Sequence, residues 1–280
     1  MEWFLDPFAL GFQQRALAGG ILAGLMTAVV GTWLVLRGMS FFGDAFVHGI
    51  VPGVAAAVVF DVNPLIGAAA AALVMVLAIE LVNRQTVLSE DTSIGLLFVG
   101  MLALGVVIIS RLDSYYGSLT TILFGDALGV TAQDLVTQAI LALVVVSAAT
   151  LLYRPLLALS FNQEKAQLWG LKPQRTHVTL LVLIAAAVIG SYQSVGTLLV
   201  FGLLVGPPAT AALISRTVPR MMFTAAIIAV VSVWAGLTLS YHFNTAGSAT
   251  MAIVPVVLFF IVLTITKLRS RQREKVESRV

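Results

Sequence analysis

The chain has 280 residues, of which 59% are hydrophobic and only 10% are charged, and its formal net charge is +3. A soluble domain carries about 25% charged residues, so this composition excludes an ordinary soluble enzyme and indicates a polytopic membrane protein. The apolar runs are continuous rather than alternating, which favours helices over a β-barrel. There is no cysteine, which excludes disulfides, thiolate metal sites and cysteine nucleophiles.

Apolar segments long enough to cross a bilayer recur along the whole chain. They fall at residues 15–36, 41–60, 64–82, 92–111, 133–153, 176–192, 195–214, 221–241 and 250–267. The sixth and seventh are separated only by residues 190–194, so eight crossings with one re-entrant segment are an alternative. We therefore predict an all-α bundle of about nine transmembrane helices that forms a single domain over residues 1–280.

The distribution of basic residues predicts the orientation of the chain in the membrane. If the N-terminus lies outside, fourteen of the sixteen Lys and Arg residues fall on one side, and only Arg15 and Arg111 fall on the other. The positive-inside rule makes the first side cytoplasmic. We expect the N-terminus outside and the C-terminus in the cytoplasm, where residues 267–280 form a basic tail.

Two ionisable residues interrupt the second span. Asp44 and His48 lie four residues apart, which places both side chains on one face of a helix. His48 lies about 12 Å beyond Ser40, where the span begins, and so close to mid-membrane. Ionisable groups at that depth are costly and mark functional sites. Aspartate with histidine is also a ligand set for a divalent transition metal.

Two ligands do not satisfy such a metal, which takes four to six. If two copies of the chain face a shared axis, two Asp44 and two His48 side chains supply four ligands, and two carboxylates balance one divalent cation. The alternative is structural: Asp44 caps the start of the span and His48 bonds a neighbouring carbonyl.

The cytoplasmic segment 155–175 predicts a short amphipathic helix. Asn162 is a suitable N-cap and Gly170 a suitable C-terminal stop, with Pro173 just after it. The helix either anchors at the membrane surface through Trp169 or docks a cytoplasmic partner, and both interpretations stay open.

Other features carry less information. The chain has no Gly-x-x-x-x-Gly-Lys-Ser/Thr loop, no His-Glu-x-x-His motif and no Gly-x-Ser-x-Gly elbow, which leaves little support for an enzyme. His177 and His242 fall near membrane boundaries and are expected to be interfacial, although a minor role of His242 in admitting metal stays open. The pair Pro207-Pro208 interrupts a helix that either lines a pore or packs closely.

Four stretches resemble the permease subunits of bacterial ABC importers for manganese, zinc and iron(II), the ABC-3 family. The first, residues 34–48, reads Leu-Val-Leu-Arg-Gly-Met-Ser-Phe-Phe-Gly-Asp-Ala-Phe-Val-His and continues to Pro52-Gly53. The others are residues 91–95 (Asp-Thr-Ser-Ile-Gly), Glu164-Lys165-Ala166 with Gly170-Leu171, and residues 195–200 (Val-Gly-Thr-Leu-Leu-Val) running to Pro207-Pro208-Ala209-Thr210-Ala211. Together they span most of the chain in the expected order.

The resemblance implies a type II importer permease of the bacterial cell membrane. The chain would be a homodimer embedded in membrane lipid, joined to cytoplasmic ATP-binding subunits and fed by an extracytoplasmic metal-binding protein. Asp44 and His48 would line the path of the transported ion, and no nucleic acid or permanently bound cofactor is implied. The coupling residues would be Asn162, Gln163, Glu164, Lys165, Ala166, Trp169 and Gly170. Asn244 stands where the family often has an aspartate, so no role of that carboxylate carries over.

Three functions compete at this point. The leading one is the permease of an ATP-driven importer of manganese, zinc or iron(II), with hydrolysis in a partner chain. The second is a permease for a metal chelate of the siderophore or cobalamin type, which needs a wide cavity and no Asp–His pair. The third is a proton-coupled secondary transporter that uses Asp44 as its proton carrier and works without an ATPase.

Overall fold

A computed structural model of the chain describes Trp3 and residues 6–86, 90–110, 129–161, 167–168 and 170–277. Within these ranges the chain forms helices joined by turns, with no strand. After a short 3-10 helix at Asp6–Ala9, the helices are α1 (Gly11–Leu36), α2 (Ser40–Gly49), α3 (Val51–Val59), α4 (Pro64–Gln85), α5 (Glu90–Ile109), α6 (Ala132–Leu151), α7 (Tyr153–Phe161), α8 (Pro173–Ile214), α9 (Val218–Phe243) and α10 (Gly247–Glu277).

The described helices contain nine segments that are long and apolar enough to cross a membrane. Helices α2 and α3 together form the second, and α8 contains the sixth and the seventh. The prediction of an all-α bundle with nine crossings is confirmed. Helix α1, the α2–α3 span and the first half of α8 are mostly buried inside the bundle, whereas α5, α6 and α10 present most of their surface outward.

Helix α8 reverses direction at Gly196. This residue has φ 77° and ψ 165°, a backbone conformation that glycine adopts without strain. A straight helix of 42 residues would be about 63 Å long, twice the thickness of a bilayer core. Contacts along α8 pair His177 with Arg37, Gly190 with Met26, and Pro208 with Gly31. Along α8, the contacted residue of the first helix changes from position 37 to position 26 and then back to position 31. The two halves of α8, Pro173–Tyr192 and Val195–Ile214, are therefore antiparallel.

The second span is divided at Ile50. Proline at position 52 has no N–H to donate to the carbonyl of His48, four residues earlier, and the helix restarts as α3 with Pro52 in its first turn. The amides of Gly53 and Val54 both bond the carbonyl of Ile50, which begins the new helix. Hydropathy predicts one span over residues 41–60, and the division within it is a finding of the structure.

The prolines of α8 serve close packing. Pro208 removes the amide that would otherwise bond the carbonyl of Leu204, and that carbonyl lies against Gly31 of α1, where any Cβ would overlap it. Pro207 and Pro208 are both buried, and Gly206 packs on Pro255 of α10. Of the two interpretations of this proline pair, the contacts favour packing between α1 and α10.

Hydrogen bonds between distant residues fix which helix ends lie together. At one end, here called the arginine-rich end, Arg37 meets His177 and Glu80 meets Gln174. At the opposite end, Arg15 Nε donates to the carbonyl of Val130 over 2.9 Å. These contacts agree with a chain that alternates between the two membrane surfaces at each span.

Helices α3 and α4 cross in contact at two glycines, which gives a test of the packing. A Cβ on Gly53 would overlap the carbonyl oxygen of Gly67, whereas a Cβ on Gly100 of α5 would meet nothing within 4 Å. We expect Gly53→Ala to lower the free energy of unfolding by about 1–3 kcal/mol, as overpacking does. Gly100→Ala is the matched control and should leave the thermal unfolding midpoint of the purified protein unchanged or higher. Equal midpoints for the two variants would contradict this packing.

Candidate functional site

Asp44 and His48 lie on successive turns of α2 and point at each other. Nε2 of His48 is 3.5 Å from Oδ1 of Asp44. This separation is long for a hydrogen bond. It is shorter than the roughly 4 Å spanned by two metal–ligand bonds of about 2 Å each, so one ion can contact both atoms. The sequence prediction that the two side chains share a face agrees with this geometry.

The capping alternative for Asp44 is wrong. Helix α2 begins at Ser40 with Met39 as its N-cap residue, and its first turn contains no acidic side chain. Asp44 therefore lies beyond the N-terminal turn, where it cannot satisfy the free amides of the helix start. Its partner in the described part of the chain is His48.

Neighbouring helices hold α2 on two sides and leave its Asp44 face partly open. A Cβ on Gly43 would lie 2.9 Å from Cδ2 of Leu204 in α8, and one on Gly49 would overlap Sδ of Met75 in α4. These close approaches fix the rotation of α2 about its axis. The side chains of His48 and Asp44 remain 31% and 33% exposed at the surface of the single chain.

Aromatic rings border the open face. Phe98 of α5 contacts both the Phe41 ring, with centroids 5.9 Å apart, and the His48 ring, with centroids 6.1 Å apart. Phe98 thus packs against both rings that flank Asp44 on α2.

One chain does not complete a metal site. Among the residues that the structure describes, no group of three or more His, Asp or Glu side chains is placed to hold a metal ion. The pair supplies one oxygen and one nitrogen ligand from α2. Further ligands have to come from water or from another molecule that meets the open face of α2.

His242 and Asn244 have structural roles at the opposite end of the bundle. The His242 ring stacks on Trp3 with centroids 4.0 Å apart, and its Nε2 donates to the Trp3 carbonyl over 2.8 Å. Asn244 ends α9 in the left-handed conformation, with φ 50° and ψ 44°, which asparagine tolerates better than most residues. These contacts tie the N-terminal segment to the end of α9.

The predicted coupling residues Asn162, Gln163, Glu164, Lys165, Ala166 and Trp169 lie outside the described residues. Gly170 is described, and it has φ 73°. Its amide bonds the carbonyl of Gln167 over 3.0 Å, and the helical residues Gln167 and Leu168 precede it. Gly170 thus has the geometry expected of the glycine that ends a helix, and α8 begins three residues later with Pro173 in its first turn.

Sequence reasoning missed a set of polar contacts at the arginine-rich end. His177 was expected at the membrane interface, but it is only 8% exposed. Its Nδ1 lies 2.7 Å from Nη1 of Arg37. Gln174, three residues earlier in the same turn of α8, donates to Glu80 over 2.9 Å. No sequence signal links these residues, because each contact joins positions about a hundred residues apart.

Comparison with known proteins identifies the family to which the chain belongs. Residues 9–266 match the ABC 3 transport family. The chain belongs to the ABC 3 transport family. It is 36% identical over 270 residues to the manganese transport system membrane protein MntC of Listeria monocytogenes, with 95% of this chain and 96% of that protein covered.

Two further comparisons agree with membership of the ABC 3 family. The chain is 31% identical over 258 residues to the chelated iron transport system membrane protein YfeD of Yersinia pestis, which covers 92% of this chain and 86% of that protein. A solved structure of PsaBC from Streptococcus pneumoniae in complex with Fab superposes with a TM-score of 0.82 at 30% identity, covering 92% of this chain and 94% of that one. The family and the fold expected from the sequence are thereby confirmed.

The structural role of His242 can be tested directly. His242→Phe keeps an aromatic ring for stacking on Trp3 but removes the Nε2 donor. We expect the free energy of unfolding to fall by about 0.5–1.5 kcal/mol, the usual worth of one hydrogen bond. Tyr241→Phe, which removes a neighbouring hydroxyl from an exposed ring, is the control and should not change the thermal midpoint. A midpoint for His242→Phe equal to that of the unsubstituted protein would contradict the role.

Proposed function

We propose that this chain is the permease subunit of an ATP-driven importer of a divalent transition-metal ion, namely manganese, iron(II) or zinc. The observation that carries the proposal is the Asp44–His48 pair, 3.5 Å apart on a membrane-spanning helix and about a third exposed. The name of the Listeria relative, a manganese transport system membrane protein, supports the same class of cargo.

The path lies between two copies of the chain in this proposal. A carboxylate that faces lipid near mid-membrane is strongly disfavoured, so the open face of α2 needs a polar or protein neighbour. A second α2 across a two-fold axis supplies the same two side chains again. Two carboxylates and two imidazoles then surround one ion with four ligands and no excess charge.

The orientation follows from charge. The arginine-rich end carries Arg37, Arg84, Arg216 and Arg220, and the positive-inside rule assigns this end to the cytoplasm of a bacterial cell. The N-terminus then lies outside and the basic tail, residues 267–280, lies in the cytoplasm. In this orientation His242 and Trp3 lie on the outer side, where an extracytoplasmic metal-binding protein would deliver the ion.

Hydrolysis of ATP belongs to a partner in this scheme. The chain has no phosphate-binding loop of the Gly-x-x-x-x-Gly-Lys-Ser/Thr type, and we propose that segment 155–175, with coupling residues 162–166, Trp169 and Gly170, contacts a cytoplasmic ATP-binding subunit. The left-handed Gly170 is the described feature that supports a helix ending there. Residues 1–280 act as one permease domain.

A metal chelate is the second candidate cargo, and the chelated-iron name of one relative favours it. A chelate already satisfies its metal and would gain little from an Asp–His pair, so the pair favours a bare ion. Membership of the ABC 3 family makes a proton-coupled secondary transporter a poor explanation, because ABC transporters draw on ATP rather than on a proton gradient.

Removal of either ligand tests the proposal. In proteoliposomes with the ATP-binding subunit and the binding protein, we expect Asp44→Asn and His48→Ala each to reduce Mn²⁺, Fe²⁺ or Zn²⁺ uptake at least about tenfold, since even second-shell changes at metal sites reach that scale. Asp61→Asn is the matched control: Asp61 already has φ 53°, which asparagine accepts, so only a charge is lost.

Metal analysis of the purified complex gives the second measurement. The unsubstituted complex should retain one of the three metals, and the Asp44→Asn complex should not. The Asp44→Asn and His48→Ala variants should both still assemble as a dimer with the partner subunits. Uptake at the unsubstituted rate in either variant would remove the proposed site.

The coupling role is tested at Gly170. Its φ of 73° is strained for a residue with a branched side chain, by about 1–2 kcal/mol, although an added Cβ would touch nothing within 4 Å. We expect Gly170→Val to weaken co-purification with the ATP-binding subunit and ATP-dependent uptake. Gly170→Asn, which tolerates this conformation, should behave like the unsubstituted protein. Indistinguishable Val and Asn variants would argue against the role.

A further inference from the structure

The first turn of α8 occupies a special position in the chain. It begins three residues after Gly170, which belongs to the segment that we propose to be contacted by the ATP-binding subunit. Two of its side chains, Gln174 and His177, make hydrogen bonds to other helices. Together with their partners Arg37 and Glu80 they form a polar cluster, called here the α8 tether.

The first contact of the tether joins α8 to the turn between α1 and α2. Nη1 of Arg37 donates to Nδ1 of His177 over 2.7 Å. A guanidinium can only donate, so Nδ1 must accept, and the ring is neutral with its proton on Nε2. Arg37 is the C-cap residue of α1, and α2 starts three residues later at Ser40. The buried imidazole thus holds the base of the helix that carries Asp44 and His48.

The second contact joins α8 to α4. Oε1 of Glu80 accepts from Nε2 of Gln174 over 2.9 Å and from Nε of Arg84 over 2.6 Å. The Glu80 side chain is only 13% exposed, and its hydrogen bond from the Arg84 guanidinium fixes the direction in which the carboxylate points. Helix α4 in turn packs on α2 and α3 through Met75 and Gly67.

One turn of α8 is therefore attached at two places that position α2. One attachment is at the base of α2 itself, through Arg37. The other is at α4, which packs against Gly49 and Gly53 in the same span as the Asp–His pair. Apolar helix surfaces can slide past each other with little change in contact, whereas a hydrogen bond to a charged group fixes distance and direction.

We propose that the α8 tether transmits movement between the ATP-binding subunit and the metal-binding pair. This proposal rests on the function proposed above. A displacement of the first turn of α8 moves Arg37 and Glu80, and with them the helix that carries Asp44 and His48. By linkage, occupation of the pair by a metal ion biases the position of the same turn. Arg37, Glu80, Gln174 and His177 are positioning residues, since none of them contacts the ion.

The experiment measures coupling in the complete transporter reconstituted in liposomes with its ATP-binding subunit and binding protein. The readouts are the number of Mn²⁺ ions imported per ATP hydrolysed and the KM for Mn²⁺. We expect Arg37→Met and His177→Phe each to lower the import-to-hydrolysis ratio about tenfold, within the range for residues that couple distant sites. The KM should change by less than about twofold, because the ligands are intact.

Further variants distinguish a role in coupling import to hydrolysis from a merely structural role of these contacts. The double variant Arg37→Met with His177→Phe should lose less than the two single losses added together, since both single variants remove the same contact. Arg37→Lys and Glu80→Gln, which keep a donor and an acceptor, should retain most of the ratio. Arg220→Met makes the same substitution at an exposed arginine of the same membrane surface, and it should leave the ratio unchanged.

Three results would overturn the tether. They are an unchanged ratio in assembled Arg37→Met or His177→Phe complexes, an equal loss in Arg220→Met, or additive losses in the double variant. If Arg37→Met does not assemble, Gln174→Leu tests the second contact at an exposed position, and an unchanged ratio there also refutes the proposal. An unsubstituted complex that imports no Mn²⁺, Fe²⁺ or Zn²⁺ refutes the proposed function instead, which separates the two failures.

Discussion

A carboxylate and an imidazole in the middle of a membrane span are tolerated only beside water, protein or a cation, because hydrocarbon cannot solvate them. Asp44 and His48 meet this condition only in part within one chain, since each remains about a third exposed. Much of the bundle is arranged around this pair. Helix α2 is short, closely packed on two sides by Leu204 and Met75, and ended by the break at Ile50. The requirement for a neighbour is what makes a second copy part of the proposed path.

Small residues allow the helices to approach closely enough to hold that pair. Transmembrane helices gain little from apolar burial against lipid, so they associate through close backbone contact. The crossing of α3 and α4 at Gly53 and Gly67, and that of α1 and α8 at Gly31, are of this kind. Polar contacts are then concentrated at the ends of the bundle, where Arg37 and His177 meet at one surface and Trp3 and His242 at the other.

Much of this arrangement could be predicted from the sequence, because hydropathy reports the spans and a spacing of four reports a shared helix face. The nine spans and the proximity of Asp44 and His48 were both predicted in this way. The break at Ile50 could also have been anticipated from Pro52, since a proline leaves the carbonyl four residues before it without a donor. The contact of Arg37 with His177 could not, because it joins residues 140 positions apart that come together only through the packing of whole helices.

The carbonyl of Leu204 lies against Gly31 because Pro208 offers it no amide. With no side chain between them, the backbones of α1 and the second half of α8 are in direct contact, and neither helix can rotate or slip without a backbone collision. Any movement at this crossing therefore has to carry both backbones together.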